Sequence, residues 1–176
     1  MDERPFTAKT VLDDLRRQCG DGEFGYRMQA FFAHVLLRLG ARVTMINTHG
    51  HPDLRARMSA GECVIQVKTV SHASSAYAFQ ATIADLEGIR PTPGCRGYLA
   101  ILDCAVPVGW HLIEADRATS LIGRAAQIAT LRAMRTEPLS TECTDVFLDL
   151  IESEKHRLPL LSYRLLADRA LRGEAL

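Results

Sequence analysis

The sequence has few aromatic residues, no long hydrophobic run and almost no lysine. Aromatic side chains make up 6% of the 176 residues, which leaves little stacking surface of the kind that binds single-stranded nucleic acid. The longest apolar candidate, 30–39, contains His34 and Arg38 and is shorter than the ~20 residues of a membrane span. These absences argue against a platform for single strands and against a membrane-spanning helix.

An excess of charge of either sign is also missing. Lysine plus arginine and aspartate plus glutamate number 21 each. A strongly basic domain, the simplest indication of nucleic-acid binding, is therefore excluded. A local basic cleft is compatible with a neutral chain, because the electrostatic field depends on where the charges sit.

The five cysteines are scattered, and none belongs to a C-x-x-C pair. This spacing argues against a zinc ribbon or an iron–sulfur cluster. The first residues, Met-Asp-Glu-Arg-Pro, are acidic where a signal peptide would be basic. We therefore expect a cytoplasmic protein with reduced thiols in its core.

Hydrophobic periodicity and turn residues predict helices and strands in alternation along the chain. The predicted helices are 10–20, 23–39, 76–86, 116–134, 145–155 and 160–171, and the predicted strands are 42–47, 53–58, 62–70, 97–103 and 110–114. This order predicts a single α/β domain over 1–176, with a mixed central β-sheet flanked by helices. We expect its core at about 21–115 and a C-terminal helical extension at about 116–176.

A predicted hairpin brings together the residues that could carry chemistry. Side chains alternate along a strand, so Gln66 and Lys68 share one face, and the turn at 59–61 brings Asp53 beside the end of that face. An aspartate and a second oxygen donor can hold Mg²⁺, which keeps most of its waters. Lys68 could orient or deprotonate a water, or offset charge on a pentavalent phosphorane. Alternatively, Asp53 closes a turn and Lys68 protects an edge strand.

These residues resemble the motif of the PD-(D/E)xK nuclease superfamily. Pro52-Asp53 is followed by twelve residues and then Gln66-Val67-Lys68, which is similar to the Q-x-K variant of Mrr-type restriction enzymes. The segment 25–43 resembles the opening helix of Mrr-type enzymes and archaeal Holliday-junction resolvases. The segments 80–88 and 97–101 resemble the helix and strand that follow the motif there.

The resemblance covers about 23–103 and implies a restriction-endonuclease-like fold. It further implies a metal-dependent DNA endonuclease acting in restriction, repair or a mobile element. Asp53 and Gln66 would then bind Mg²⁺ or Mn²⁺, and Lys68 would serve the water or the transition state. Gln29 would complete the cleft at a position where these families usually carry glutamate. Because neutral ligands hold Mg²⁺ less tightly than carboxylates, the alternative is a catalytically degenerate module that binds nucleic acid or a protein partner without cutting.

Three further residues near the motif are candidates for contact with DNA. Arg55 and Arg57 share a strand face beside Asp53, and His51 lies in the preceding turn. A solvated strand face explains the arginines equally well, and a solvated turn explains the histidine better. Breaking a duplex takes two cuts and one small domain holds one site, so we also expect a homodimer.

Overall fold

A mixed five-stranded sheet forms the centre of the described chain. The structure is a computed structural model that describes residues 2–46, 52–70, 78–79, 81–123 and 126–176. Its strands are β1 (Arg42–Met45), β2 (Leu54–Met58), β3 (Gly61–Val70), β4 (Ala78–Phe79), β5 (Cys95–Asp103), β6 (Gly109–Glu114) and β7 (Ala126–Gln127). The main sheet has the order β1-β2-β3-β5-β6, and β4 and β7 pair separately.

Helices cover both faces of this sheet. They are α1 (Arg4–Arg38), α2 (Ile83–Glu87), α3 (Ala115–Ala118), α4 (Ile128–Met134), α5 (Leu139–Glu154) and α6 (Tyr163–Leu171), with 3₁₀ turns at Thr119–Leu121 and Leu158–Leu160. Both α5 and α6 pack against α1. Among the described residues, no helix combines the length and the apolar character needed to cross a bilayer.

The sheet pairing follows from the local sequence. The strands β2 and β3 form an antiparallel hairpin in which Leu54 pairs with Ile65. The strands β3 and β5 are parallel, and the connection between them contains α2. Because helices cover both faces of the sheet at β5, the residues from Gly97 to Asp103 are all buried. Gly97 is required here, since a Cβ at this position would lie 1.6 Å from the carbonyl oxygen of Ile89.

Two separate cores lie on the two faces of the sheet, and they decide where polar residues of β3 can sit. Ile65 and Val67 belong to the core under α1, α5 and α6, where the rings of Phe32 and Trp110 are 4.3 Å apart. Val64 belongs to the second core, under α2, α3 and α4. Gln66 and Lys68 alternate with Ile65 and Val67 and therefore share this second face.

The predicted fold class is confirmed: the protein is an α/β structure with a mixed sheet flanked by helices, the arrangement that the resemblance implies. The five predicted strands are present within the described residues, with ends that differ by a few residues. The two helices predicted at 10–20 and 23–39 form the single element α1, which begins at Arg4. Gly20 still marks a break in it, because its φ of 77° is not helical.

Two predicted helices are wrong in part. Within the described residues of the predicted helix 76–86, the helix begins only at Ile83, because Thr82 caps α2 there and 78–79 form β4 against β7. The predicted helix 116–134 is divided into α3, a 3₁₀ turn, β7 and α4. Gly123, with a φ of 65°, lies where the helical path ends. The last two helices occur as predicted in type, with α5 beginning earlier, at Leu139, and α6 later, at Tyr163.

Candidate functional site

Asp53 directly precedes β2 and joins that strand to β3 through its side chain. Its Oδ2 atom accepts a hydrogen bond from Gln66 Nε2 at 2.7 Å and another from the backbone N–H of Val67 at 2.7 Å. The backbone carbonyl of Asp53 accepts from the N–H of Ile46 at 2.8 Å, which extends the pairing of β1 with β2. The hairpin therefore places Asp53 beside Gln66, as the strand alternation predicts.

The environment of Asp53 raises the pKa of its carboxyl group into the range just below neutral pH. Burial raises the pKa of Asp53 to about 6. The N–H of Val67 and the ammonium group of Lys68 oppose this shift in the pKa, whereas the negative charge of Asp85 adds to it. Asp53 is therefore mostly ionised at pH 7 and mostly protonated at pH 5.

Lys68 is held by the carboxylate of Asp85, a residue that lies outside the predicted motif. Its Nζ atom lies 2.7 Å from Oδ1 of Asp85, whose side chain is only 12% exposed. Burial alone would raise the pKa of Asp85, but the ion pair with Lys68 and the hydrogen bonds with Thr82 hold it below its usual value. Asp85 is therefore a charged anchor for Lys68 at neutral pH.

The first turn of α2 fixes Asp85 in this position. The Thr82 hydroxyl accepts from the N–H of Asp85 at 3.2 Å, and Oδ2 of Asp85 accepts from the N–H of Thr82 at 3.0 Å. This reciprocal pair is a capping box, and the sequence Thr82-Ile-Ala-Asp85 carries its T-x-x-D pattern. The sequence contains this pattern, but a helix predicted to begin at 76 places Thr82 and Asp85 in the interior of the helix, where a capping box does not occur.

Gln29 lies on a different element and is half-buried in α1 between the buried residues Met28 and Ala30. The buried side of α1 packs in the core that contains Ile65 and Val67, across the sheet from the face that carries Gln66. Among the described residues, no hydrogen bond connects Gln29 with Asp53, Gln66 or Lys68. Its role in the cleft stays a prediction.

The predicted DNA-contacting residues are placed in part. Arg55 and Arg57 are exposed on β2, and Arg57 forms an ion pair with Glu62 of β3. His51 lies outside the described residues. Arg55 and Arg57 thus remain on a solvent-exposed face beside Asp53.

The donor set at Asp53 suits a hard divalent cation that keeps most of its waters. Gln66 donates through Nε2 to Oδ2 of Asp53, which leaves the amide oxygen of Gln66 and Oδ1 of Asp53 as the oxygen donors that this hydrogen bond does not use. Mg²⁺ is commonly bound through one or two carboxylates with waters completing its coordination. Within the described ranges, no group of three or more His, Cys, Asp or Glu side chains is placed to hold a metal. The fit is therefore to a partly hydrated cation on Asp53 and Gln66.

A second polar cluster occupies the same face one strand further on. Oδ2 of the buried Asp103 accepts from Arg132 Nη2 at 2.8 Å and lies 3.4 Å from His111 Nε2, and its Oδ1 accepts from the N–H of Ala105 at 2.9 Å. Although burial opposes it, these contacts hold the pKa of Asp103 below its usual value. The cluster ties α4 to the ends of β5 and β6, and its members are too far apart in sequence to be linked by a motif.

Comparison with known proteins leaves the chain without an assigned family. No protein-family model matches it, and no curated protein sequence does. A solved structure that it is similar to is Hjc from Archaeoglobus fulgidus, a Holliday junction resolvase from an archaeal hyperthermophile, with 13% identity over 57% of this chain and 88% of that chain and a TM-score of 0.36. This likeness decides neither the family nor the activity of the chain.

Thr82→Ala is expected to lower the free energy of unfolding by about 1 kcal/mol, the usual effect of losing an N-cap. The variant leaves the N–H of Asp85 without its side-chain acceptor. Urea unfolding followed by circular dichroism measures the change, and Thr82→Ser, which keeps the hydroxyl, is the control. Equal stability of the alanine and serine variants would show that the capping box does not hold α2.

Proposed function

We propose that this chain is a metal-dependent DNA endonuclease that hydrolyses phosphodiester bonds in restriction, repair or a mobile element. The observation that carries the proposal is the 2.7 Å hydrogen bond between Gln66 and Asp53, with Lys68 two residues along the same face of β3. A carboxylate, an amide oxygen and an ammonium group are thereby gathered on one face of the sheet, beside the start of β2. These groups can hold a hard cation and stabilise negative charge on a phosphate.

Each residue of the site would have a role that follows from its functional group. Asp53 and Gln66 would hold Mg²⁺ or Mn²⁺ through oxygen atoms. When bound, the cation would supply Lewis-acid stabilisation of the phosphate charge and a water of lowered pKa. Lys68, oriented by Asp85, would donate to a phosphate oxygen on which charge develops. Asp53 must be ionised for this role, and because its pKa is about 6 in the metal-free protein, protons compete with the cation and activity should fall at acid pH.

A second candidate function is binding of DNA without cutting. The observation that favours it is the small number of carboxylates: no third acidic side chain joins the site within the described residues, and the position expected to hold glutamate is Gln29. The oxygen donors would then bind a cation too weakly for turnover. Both candidates would bind DNA through the same surface, and they differ only in whether the bound phosphodiester is hydrolysed.

We expect the wild-type protein to nick supercoiled plasmid DNA with a divalent cation and to be inactive in EDTA. Mn²⁺ should support cutting better than Mg²⁺, because Mn²⁺ binds more strongly to neutral donors. Lys68→Ala should bind DNA like the wild type but cut at least roughly 100-fold more slowly, the scale of losing one group that stabilises transition-state charge. Gel electrophoresis of open-circular and linear products measures this.

The same experiment separates the candidates. If the protein binds DNA but does not nick it with either cation, the non-cutting module is the supported function. If it neither binds nor nicks DNA, both candidates are excluded.

Because a duplex break takes two cuts and one domain would hold one site, we also propose that the active form is a symmetric homodimer. Direct linearisation of the plasmid would be the product of such a dimer.

A further inference from the structure

Three arginines lie on one face of β1 and β2, the two neighbouring strands at one side of the sheet. Arg42 of β1 is directly opposite Arg57 of β2, and Thr44 is directly opposite Arg55. Alternate residues of a strand share a face. All four residues line one open groove of about 200 Å³.

This arginine groove, formed by Arg42, Thr44, Arg55 and Arg57, lies on the same face as Asp53. Arg57 forms an ion pair with Glu62, and Glu62 lies four residues before Gln66 in β3, so that both side chains share a face. Gln66 in turn donates to Asp53. Arg55 is two residues from Asp53, or roughly 7 Å along an extended strand. The groove therefore leads directly to the candidate site.

The charges of the groove are only partly balanced by the protein, since Glu62 is the one acidic residue among those that line it. Like charges placed directly opposite each other on neighbouring strands are destabilising, which applies to Arg42 and Arg57. Glu62 neutralises Arg57, whereas no ion pair of Arg42 or Arg55 occurs in the part of the chain that the structure describes. In a chain of zero net charge, this local excess of positive charge is complementary to an anionic ligand.

We propose that the arginine groove binds the phosphodiester backbone of duplex DNA and leads one strand to Asp53. This proposal rests on the proposed function and names the surface that binds its substrate. Arginine and threonine side chains are typical phosphate ligands, and contacts to phosphates position a protein without reading sequence. None of the residues that line the groove is aromatic, so the groove lacks the stacking groups that single strands require. An acidic protein surface is the competing occupant.

The test is the salt dependence of DNA binding by the double variant Arg42→Gln, Arg55→Gln. Fluorescence anisotropy with a short labelled duplex is measured in EDTA, so that binding is independent of cleavage. Each arginine that contacts a phosphate contributes about one to the slope of log affinity against log salt, so the slope should fall by about two. The control is Arg164→Gln on α6, whose arginine is 91% exposed and should leave the slope unchanged.

A second measurement distinguishes a lost contact from a damaged fold. Because the double variant removes the charge of Arg42 from its position opposite Arg57 and breaks no ion pair, its melting temperature without DNA should equal or exceed that of the wild type. A scaffold role for the arginines would lower it. Addition of duplex should raise the melting temperature of the wild type much more than that of the variant.

The outcomes separate this proposal from the endonuclease proposal. If the wild type nicks plasmid while the double variant binds with an unchanged slope, the DNA lies elsewhere and the groove proposal is overturned. If the slope falls as expected but neither Mg²⁺ nor Mn²⁺ supports cutting, the groove is supported and the endonuclease proposal fails. If the wild type does not bind duplex DNA in low salt, the groove proposal is overturned, and an acidic protein becomes the occupant to test.

Discussion

Asp53→Asn is expected to abolish metal-dependent cleavage while stabilising the metal-free protein at pH 7. Asparagine keeps an oxygen that can accept from Gln66 and from the N–H of Val67, but it lacks the charge that holds a cation. The rate should fall by roughly 10³-fold or more, comparable to loss of a principal charge-stabilising group. Stability should rise because a buried charge has been removed.

The stabilisation should depend on pH in a defined direction. The pKa of Asp53 is about 6 in the folded protein and near its ordinary value of about 3.9 in the unfolded chain. Between these values the folded state binds a proton that the unfolded state does not, so wild-type stability falls as the pH rises toward 6. Above pH 6, the wild type is less stable than the variant by on the order of 1–3 kcal/mol. The difference should shrink as the pH falls toward 4.

Thermal unfolding with and without Mn²⁺ measures both effects together. Wild-type protein should gain melting temperature on addition of Mn²⁺, since a ligand of the folded state stabilises it, and Asp53→Asn should gain none. Asp168→Asn, which removes an exposed carboxylate of α6, is the matched control and should behave like the wild type. A variant that still responds to Mn²⁺ and still cuts DNA would exclude Asp53 as the metal ligand.

The centre of the candidate site could be predicted because it depends on local rules. A short turn at 59–60 joins two strands, and strand alternation then places Gln66 and Lys68 on one face. The same rules predict β5, whose continuous apolar sequence is typical of a strand buried on both faces. Nothing beyond neighbouring residues is needed for either prediction.

The surroundings of the site depend on long-range pairing and could not be predicted in the same way. Arg42 joins the groove because of the register between β1 and β2, which alternation within one strand does not determine. The helix predicted from 76 is shortened because β4 pairs with β7, nearly fifty residues away in the chain. The resulting start of α2 at Ile83 is what brings Asp85 to Lys68.

Asp85→Asn is expected to slow cleavage by roughly 10- to 100-fold, the usual effect of removing a group that orients a functional residue. Without the carboxylate at 2.7 Å, Lys68 loses its anchor and can pair with ionised Asp53, where it competes with the cation. Removal of the negative charge near Asp53 also lowers the pKa of Asp53, because Asp85 contributes to raising it. The loss of activity at acid pH should therefore move to lower pH in the variant.

The shift of the pH profile distinguishes this role of Asp85 from its role in capping α2. Thr82→Ala weakens the same cap but leaves the charge of Asp85 in place, so it should lower stability without moving the acid limb of the profile. Asp85→Asn should move that limb even after rates are corrected for the folded fraction. Plasmid nicking measured from pH 5 to 8 in both variants, a range that brackets the pKa of about 6 at Asp53, provides the comparison. If Asp85→Asn shows the wild-type rate and the wild-type limb, Asp85 serves only as a helix cap, and Lys68 is positioned without it.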